Sequence, residues 1–247
     1  MAEKERHNAQ LSARLPARQE LVLGAGEKKD IGSAGVRMTY KLLDVCCGMW
    51  GWSKQFARRG NWECIGIDLL EHHSAPEHCK LVRMNLLALN VEMLKKWEID
   101  FGISSTPCEE FTCISMPNFQ PDAPFPALGI KLFKHIEGVF LESGIPFVME
   151  NVRAAQEFVG ESVANCGPFH LWGNAVPPIL PQGIKKGLNM KRARDKNGKR
   201  IYAAAADKLW STKRKTLVAT IPPELANCVA DYAERLLEQR AHDRSLI

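Results

Sequence analysis

The chain has 247 residues, 45% hydrophobic and 25% charged, which suits one sizeable buried core with a small accessory segment and argues against a disordered or membrane-spanning protein. Its net charge of +5 is unevenly distributed. Residues 185–215 carry a net +10, residues 1–37 a net +2, and the remainder a net −7, so an acidic body bears one strongly basic segment suited to a polyanionic partner. Residues 1–10 are charged and polar, so no secretory leader is expected. No apolar run approaches bilayer length, and the eight cysteines follow no framework spacing; reduced thiols, a cytoplasmic setting and no membrane partner are the expectation.

In chain order, residues 1–37 read as an extension without assigned chemistry. Lys41 to Cys46 is a buried-strand run, followed by a glycine-containing turn through Ser53 and a helix over Lys54–Arg59 with Ser53 as its N-cap. A second strand over Glu63–Asp68 ends in a carboxylate 24 positions after Asp44. A strand, glycine turn, helix, strand and acid in this order suit a nucleoside-containing cofactor, because glycine lets the backbone approach the ligand and a strand-end acid binds ribose hydroxyls. The turn reads Gly48-Met49-Trp50-Gly51 and not G-x-G-x-x-G, which favours an adenosine cofactor without pyrophosphate; an ordinary βαβ turn is the bland alternative.

His72, His73, His78 and Cys79 match no zinc spacing and read as a solvated loop, so no metal is expected. A short strand and turn follow over Leu81–Leu89, a helix over Val91–Trp97, and a central strand over Asp100–Ser104. That strand delivers Thr106-Pro107-Cys108 to a loop at its carboxyl end, where open α/β sheets place their chemistry. Cys108 is either a presented nucleophile or a small core residue. A proline-rich loop spans Cys113–Phe125. The helix Ala127–Ser143 carries apolar residues at Leu128, Ile130, Leu132, Ile136, Val139 and Leu141, and the strand Ile145–Val152 ends in Glu150 and Asn151. Glu150 is either a functional acid or a structural carboxylate. Residues 153–184 show little regular structure, and a closing helix runs from Pro222-Pro223 to about Gln239 with Leu225, Val229, Tyr232 and Leu236 on one face.

Four segments in this order resemble the cytosine carbon-5 DNA methyltransferase family, in particular its compact, phage-type members. Asp44-Val45-Cys46-Cys47-Gly48 with Gly51-Trp52-Ser53 resembles the donor-binding first motif, Thr106-Pro107-Cys108 the Pro-Cys nucleophile motif, Glu150-Asn151-Val152 the Glu-Asn-Val motif, and Ile221-Pro222-Pro223-Glu224-Leu225-Ala226 the closing helix start. The departures are Cys46 where the family usually has an aromatic residue, Trp50 in place of a second glycine, Glu109 where Gln is common, and Asn85 near the place of an Asp. Arg192-Ala193-Arg194 is the nearest approach to the family's Gln-x-Arg-x-Arg, and Gly173–Pro178 imitates the closing motif too early in the chain.

The resemblance implies an α/β, Rossmann-like S-adenosylmethionine-dependent methyltransferase fold with a small basic nucleic-acid-recognition segment. Residues 38–152 would form the donor-binding and catalytic core, 153–220 a short recognition region containing the basic segment 185–215, and 221–247 a C-terminal helix returning to the core. It implies transfer of a methyl group from S-adenosylmethionine to carbon 5 of a flipped-out cytosine in DNA, in the host cytoplasm if phage-encoded. Cys108 is then the nucleophile, Glu150 the acid on the base, and Arg192 and Arg194 its supports. Asp44, Cys46, Gly48, Trp50, Gly51, Asp68, Asn85 and Pro107 would hold the donor, and residues 185–215 would hold DNA. Two rivals stand beside this: a nucleic-acid-binding pseudoenzyme with a donor pocket altered at Cys46 and Trp50, and a related transferase acting on RNA, a nucleotide or with a modified donor. In the second rival, Lys213-Arg214-Lys215 would hold an extra donor carboxylate, although a phosphate-facing or solvated run is the simpler reading.

Overall fold

A computed structural model describes residues 39–70, 74–114, 125–184 and 221–246. Seven strands form one sheet: β1 (Tyr40–Val45), β2 (Trp62–Asp68), β3 (Cys79–Arg83), β4 (Phe101–Ser105), β5 (Phe147–Asn151), β6 (Ala164–Cys166) and β7 (Phe169–Trp172). The order is β3-β2-β1-β4-β5-β7-β6; β1 to β5 are parallel and β7 runs antiparallel between β5 and β6. This is the α/β, Rossmann-like fold expected from the sequence. The antiparallel pair β6–β7 corrects the reading of 153–184 as irregular, since this stretch completes one edge of the sheet.

Helices cover both faces, as parallel strands buried on two sides require. On one face, α1 (Ser53–Ala57) and α6 (Pro223–Ser245) pack over Leu42, Trp62, Phe101, Ile103 and Val148. On the other, α2 (Val91–Trp97), α3 (Glu109–Ile114), α4 (Ala127–Ser143) and the short α5 (Gln156–Val159) enclose Leu43, Val45, Ile67, Phe147 and Met149. The bounds of α2 and α4 are those expected. The buried stripe of α4 is Gly129, Leu132, Phe133, Ile136, Val139 and Phe140; Leu128 and Leu141, also apolar, are exposed. Phe140 reaches the sheet because β4 has no side chain at Gly102, where a Cβ would stand 2.6 Å from its ring.

Helix α6 starts where Pro222 and Pro223 place it and continues six residues past Gln239. Its buried face, Leu225, Ala226, Val229, Ala230 and Ala233, is small enough to lie close to the sheet. Glu234 fixes its register by accepting hydrogen bonds from Arg59 Nη1, Asn61 Nδ2 and Trp62 Nε1, each at 2.9 Å. Cys46, Cys47, Cys64, Cys79, Cys108, Cys166 and Cys228 are free thiols, and no described helix is long and apolar enough to cross a membrane.

Candidate active site

Parallel strands deliver their carboxyl ends to one edge of a sheet. Strands β4 and β5 are neighbours there, with Ser105 paired to Glu150, so the loop Thr106-Pro107-Cys108 and the acid leave the sheet side by side. Glu150 is 9% exposed. Cys108 is half-buried and occupies the N-cap position of α3, its carbonyl accepting from Thr112 N at 2.9 Å. The free N–H groups of a helix's first turn favour an anionic side chain at this place.

Two acids follow the cysteine. Glu110 is turned to the next helix, its Oε2 accepting from Gly129 N at 2.8 Å. Glu109 is exposed.

One side chain joins the two motifs. Asn151, 1% exposed, donates from Nδ2 to both the carbonyl and Oγ1 of Thr106 at 3.0 Å, while its Oδ1 accepts from Val152 N at 2.8 Å. Every polar atom of a buried amide is thereby used, which fixes the cysteine loop against the acid's strand. Sequence reasoning quoted Asn151 within its motif and assigned it no role. Its partners lie 45 positions away, outside the reach of local pattern.

Beside β4, the turn after β1 folds under Ile67, whose carbonyl accepts from both Cys46 N (2.8 Å) and Cys47 N (3.1 Å). Three residues of it have left-handed φ: Cys46 (62°), Gly48 (44°) and Trp50 (61°). A tryptophan in this region is strained, and it stands where glycine would cost nothing. Compensation comes from burial. Trp50 is 1% exposed and its indole covers Gly66 of β2, where a Cβ would be 2.3 Å from the ring. The ring is therefore directed into the core beneath the turn. Gly51 meets the segment leading into α6 in the same way, since a Cβ there would lie 3.1 Å from Ile221.

Asp68 stands at the end of β2 as expected, its Oδ2 accepting from Gly48 N at 3.0 Å and its Oδ1 from Leu70 N at 3.1 Å. Cys46 packs half-buried on the sheet face opposite α1. Burial, then the charges of Asp68 and Asp44, push its thiol well above the ordinary range. Asn85 accepts from Leu87 N at 3.0 Å and caps the turn after β3. Pro107 is exposed.

One expectation is corrected, at the start of α1. Asp44 is fully buried: its Oδ2 accepts from Ser53 Oγ at 2.5 Å and Ser53 N at 3.3 Å. Ser53, expected as the cap of α1, makes no side-chain cap because its hydroxyl is committed to Asp44. The pair anchors the turn to β1. Arg192, Arg194 and the segment 185–215 lie outside the described residues, as do His72 and His73.

Among the described residues no group of three His, Cys, Asp or Glu is arranged to hold a metal ion. Surface clefts of about 480 and 310 Å³ open elsewhere, against Lys134 and His135 of α4 and beside Tyr40 and Asp100 at the amino ends of the strands. They are shallow and far from the converging motifs in the sheet, so the candidate site rests on the strand ends.

No protein-family model matches the chain, and no curated protein matches it. It is similar to solved structures of a DNMT2 variant from Spodoptera frugiperda (22% identity, 48% of this chain and 37% of that chain, TM-score 0.35). The Dnmt2 methyltransferase of S. pombe (16%, 49% and 37%, 0.35) and the Entamoeba histolytica methyltransferase EhMeth (12%, 71% and 66%, 0.42) are similar in the same sense. The match spans little more than a third of either DNMT2 chain's own length. At these TM-scores the likeness carries no argument, and the fold rests on strand order and direction.

Asp44 Oδ1 is buried with no hydrogen-bond donor among the described residues. Burial raises this carboxyl to about 6 from 3.8, against the lowering effect of Ser53. The folded chain thus holds a proton that the unfolded chain releases. The contribution is fully present below pH 3.8 and is lost as pH rises through 6, a difference of roughly 2–3 kcal/mol. Asp44→Asn keeps an oxygen for Ser53 and removes the charge. Its melting temperature relative to wild type should rise between pH 4 and pH 7.5; a constant difference across that window would refute the assignment.

Proposed function

We propose that this chain transfers a methyl group from S-adenosylmethionine to carbon 5 of cytosine in DNA through a covalent Cys108 adduct. The observation that carries the reading is the Asn151 clamp: it holds the cysteine loop beside the strand of Glu150, at the carboxyl edge where the glycine turn and Asp68 also end. The residues present fit the donor. Asp68, at the end of β2 beside Gly48, would take the ribose hydroxyls, Gly48 offers backbone without a Cβ, and Cys46 and Asn85 would complete the donor's surroundings. Because the Trp50 indole is directed into the core, it leaves the outer side of the turn to backbone, which weighs against a donor-blind pseudoenzyme. Bound S-adenosylmethionine supplies an electrophilic methyl group.

Carbon 5 of cytosine is a weak nucleophile. Cys108 thiolate forms a bond to ring carbon 6, and the π pair moves to carbon 5, which is then enamine-like and takes the methyl group. Glu150, in its protonated form, donates to ring nitrogen 3 and accepts from the exocyclic amine, drawing electron density from the ring. Loss of the carbon-5 proton returns the pair and expels the thiolate. In duplex DNA the base must leave the stack to reach Cys108. Residues 185–215 supply the phosphate-facing charge, with Arg192 and Arg194 supporting the base.

DNA carrying 5-fluorocytosine should trap the enzyme, because fluorine cannot leave as a proton does, and peptide mapping should find the adduct on Cys108. Cys108→Ser should abolish trapping and keep donor binding by calorimetry. An adduct on Cys113, or turnover without any adduct, would remove Cys108 from this role.

Glu150→Gln keeps the shape of the side chain and loses its acid. The transfer rate should fall by roughly 10²–10⁴ with the melting temperature preserved. Unchanged turnover per folded molecule with a sharply lowered melting temperature would make Glu150 a structural carboxylate.

Each phosphate contact contributes about −0.9 to the slope of log affinity against log salt. Changing Lys191, Arg192, Lys199 and Arg200 together to Gln should flatten that slope by roughly two to four units, about equally for all sequences. An unchanged slope would take the segment out of the interface.

A further inference from the structure

The β1–β4 ladder ends at the pair Val45–Ser104. Beyond it, Trp52 Nε1 donates to Ser105 Oγ at 2.9 Å and connects the turn after β1 to the last residue of β4. The indole is 2% exposed, locked among Phe56, Phe101 and Ile103, so it transmits displacement without bending. The next residue, Ser53, is tied to Asp44. On the other side, Thr106 is held by Asn151. Consecutive residues 105 and 106 thus each receive a side-chain bond, one from the donor turn and one from the acid's strand, and Cys108 follows two residues later.

We infer that the Trp52–Ser105 hydrogen bond couples the donor turn to the nucleophile's loop, so that occupation of the donor site speeds addition of Cys108 to the base. The inference rests on the function proposed above and makes Trp52 and Ser105 positioning residues, since neither is required to touch substrate. A shift of the turn when a donor is bound moves Trp52 and with it Ser105; Thr106, held by Asn151, is the pivot about which the segment turns, so Pro107 and Cys108 on its other side are reoriented. Coupling between two sites through a shared element is typically about 5–150-fold.

Thiol addition has a readout that needs no methyl group. When the Cys108 sulfur bonds to carbon 6, carbon 5 takes a deuteron from D2O; loss of its original proton then returns the pair and expels the thiolate. Mass spectrometry of a cytosine-containing DNA duplex therefore reports the addition rate. The measurement is made with and without S-adenosylhomocysteine, the product that lacks the transferable methyl. In the wild type the product should accelerate exchange. In Trp52→Phe, which removes only the N–H and part of the ring, and in Ser105→Ala, the ratio of rates with and without product should fall by roughly 3–10-fold, and the double variant should be no worse than either single one. A merely structural role lowers the melting temperature and the folded fraction but leaves this ratio alone. A wild-type ratio in both variants overturns the inference while the cytosine chemistry stands. Absence of any exchange in the wild type overturns the cytosine chemistry and this inference together.

Discussion

The two hydrogen bonds from the Asn151 amide to Thr106 are the constraint on which the candidate site depends. Backbone pairing alone brings β4 and β5 together, yet the ladder stops at Ser105–Glu150, and everything chemical lies after it. Past the last rung, a loop of three residues would be free to choose its direction. The buried amide removes that choice at the residue before Pro107, and the fixed φ of proline carries the direction on to Cys108. Helix α3 then holds the cysteine from the other side, because the Cys108 carbonyl is already its first acceptor.

The same economy appears in the turn after β1, where polar side chains are used to shape backbone. Asp44 holds Ser53, Asp68 holds Gly48, and the Ile67 carbonyl holds Cys46 and Cys47. Asp44 keeps the turn attached to β1, and Asp68 ties the same turn to the end of β2.

Much of this was legible in the sequence. Strands β1, β2, β4 and β5 are apolar runs with polar ends, and α2 and α4 carry enough periodicity for their bounds to be read. The hairpin β6–β7 was not, because strands of three and four residues separated by Gly167 and Pro168 leave no period to detect, and the partner of β7 is β5, far back in the chain. Apolar character alone did not identify the buried stripe of α4, which runs through Phe133 and Phe140 while Leu128 and Leu141 are exposed. For the site, the strand-end placement of Cys108 and Glu150 followed from pattern. The work of Asn151, Trp52 and Ser53 did not, since each bonds to a residue brought near only by the fold.

Trp50 and Gly66 occupy one shared volume, sixteen positions apart. Neither residue has a preference of its own that explains it: a tryptophan is a poor choice for a left-handed turn, and a glycine is a poor choice for the middle of a buried strand. Each is sensible only given the other. Glycine at 50 would relax the backbone and leave a void the size of an indole, while any side chain at 66 would drive the ring out from under the turn. Substitutions at these two places are therefore conditional, and any route to a glycine-rich turn must change both in an order that passes through a hole and not through a clash.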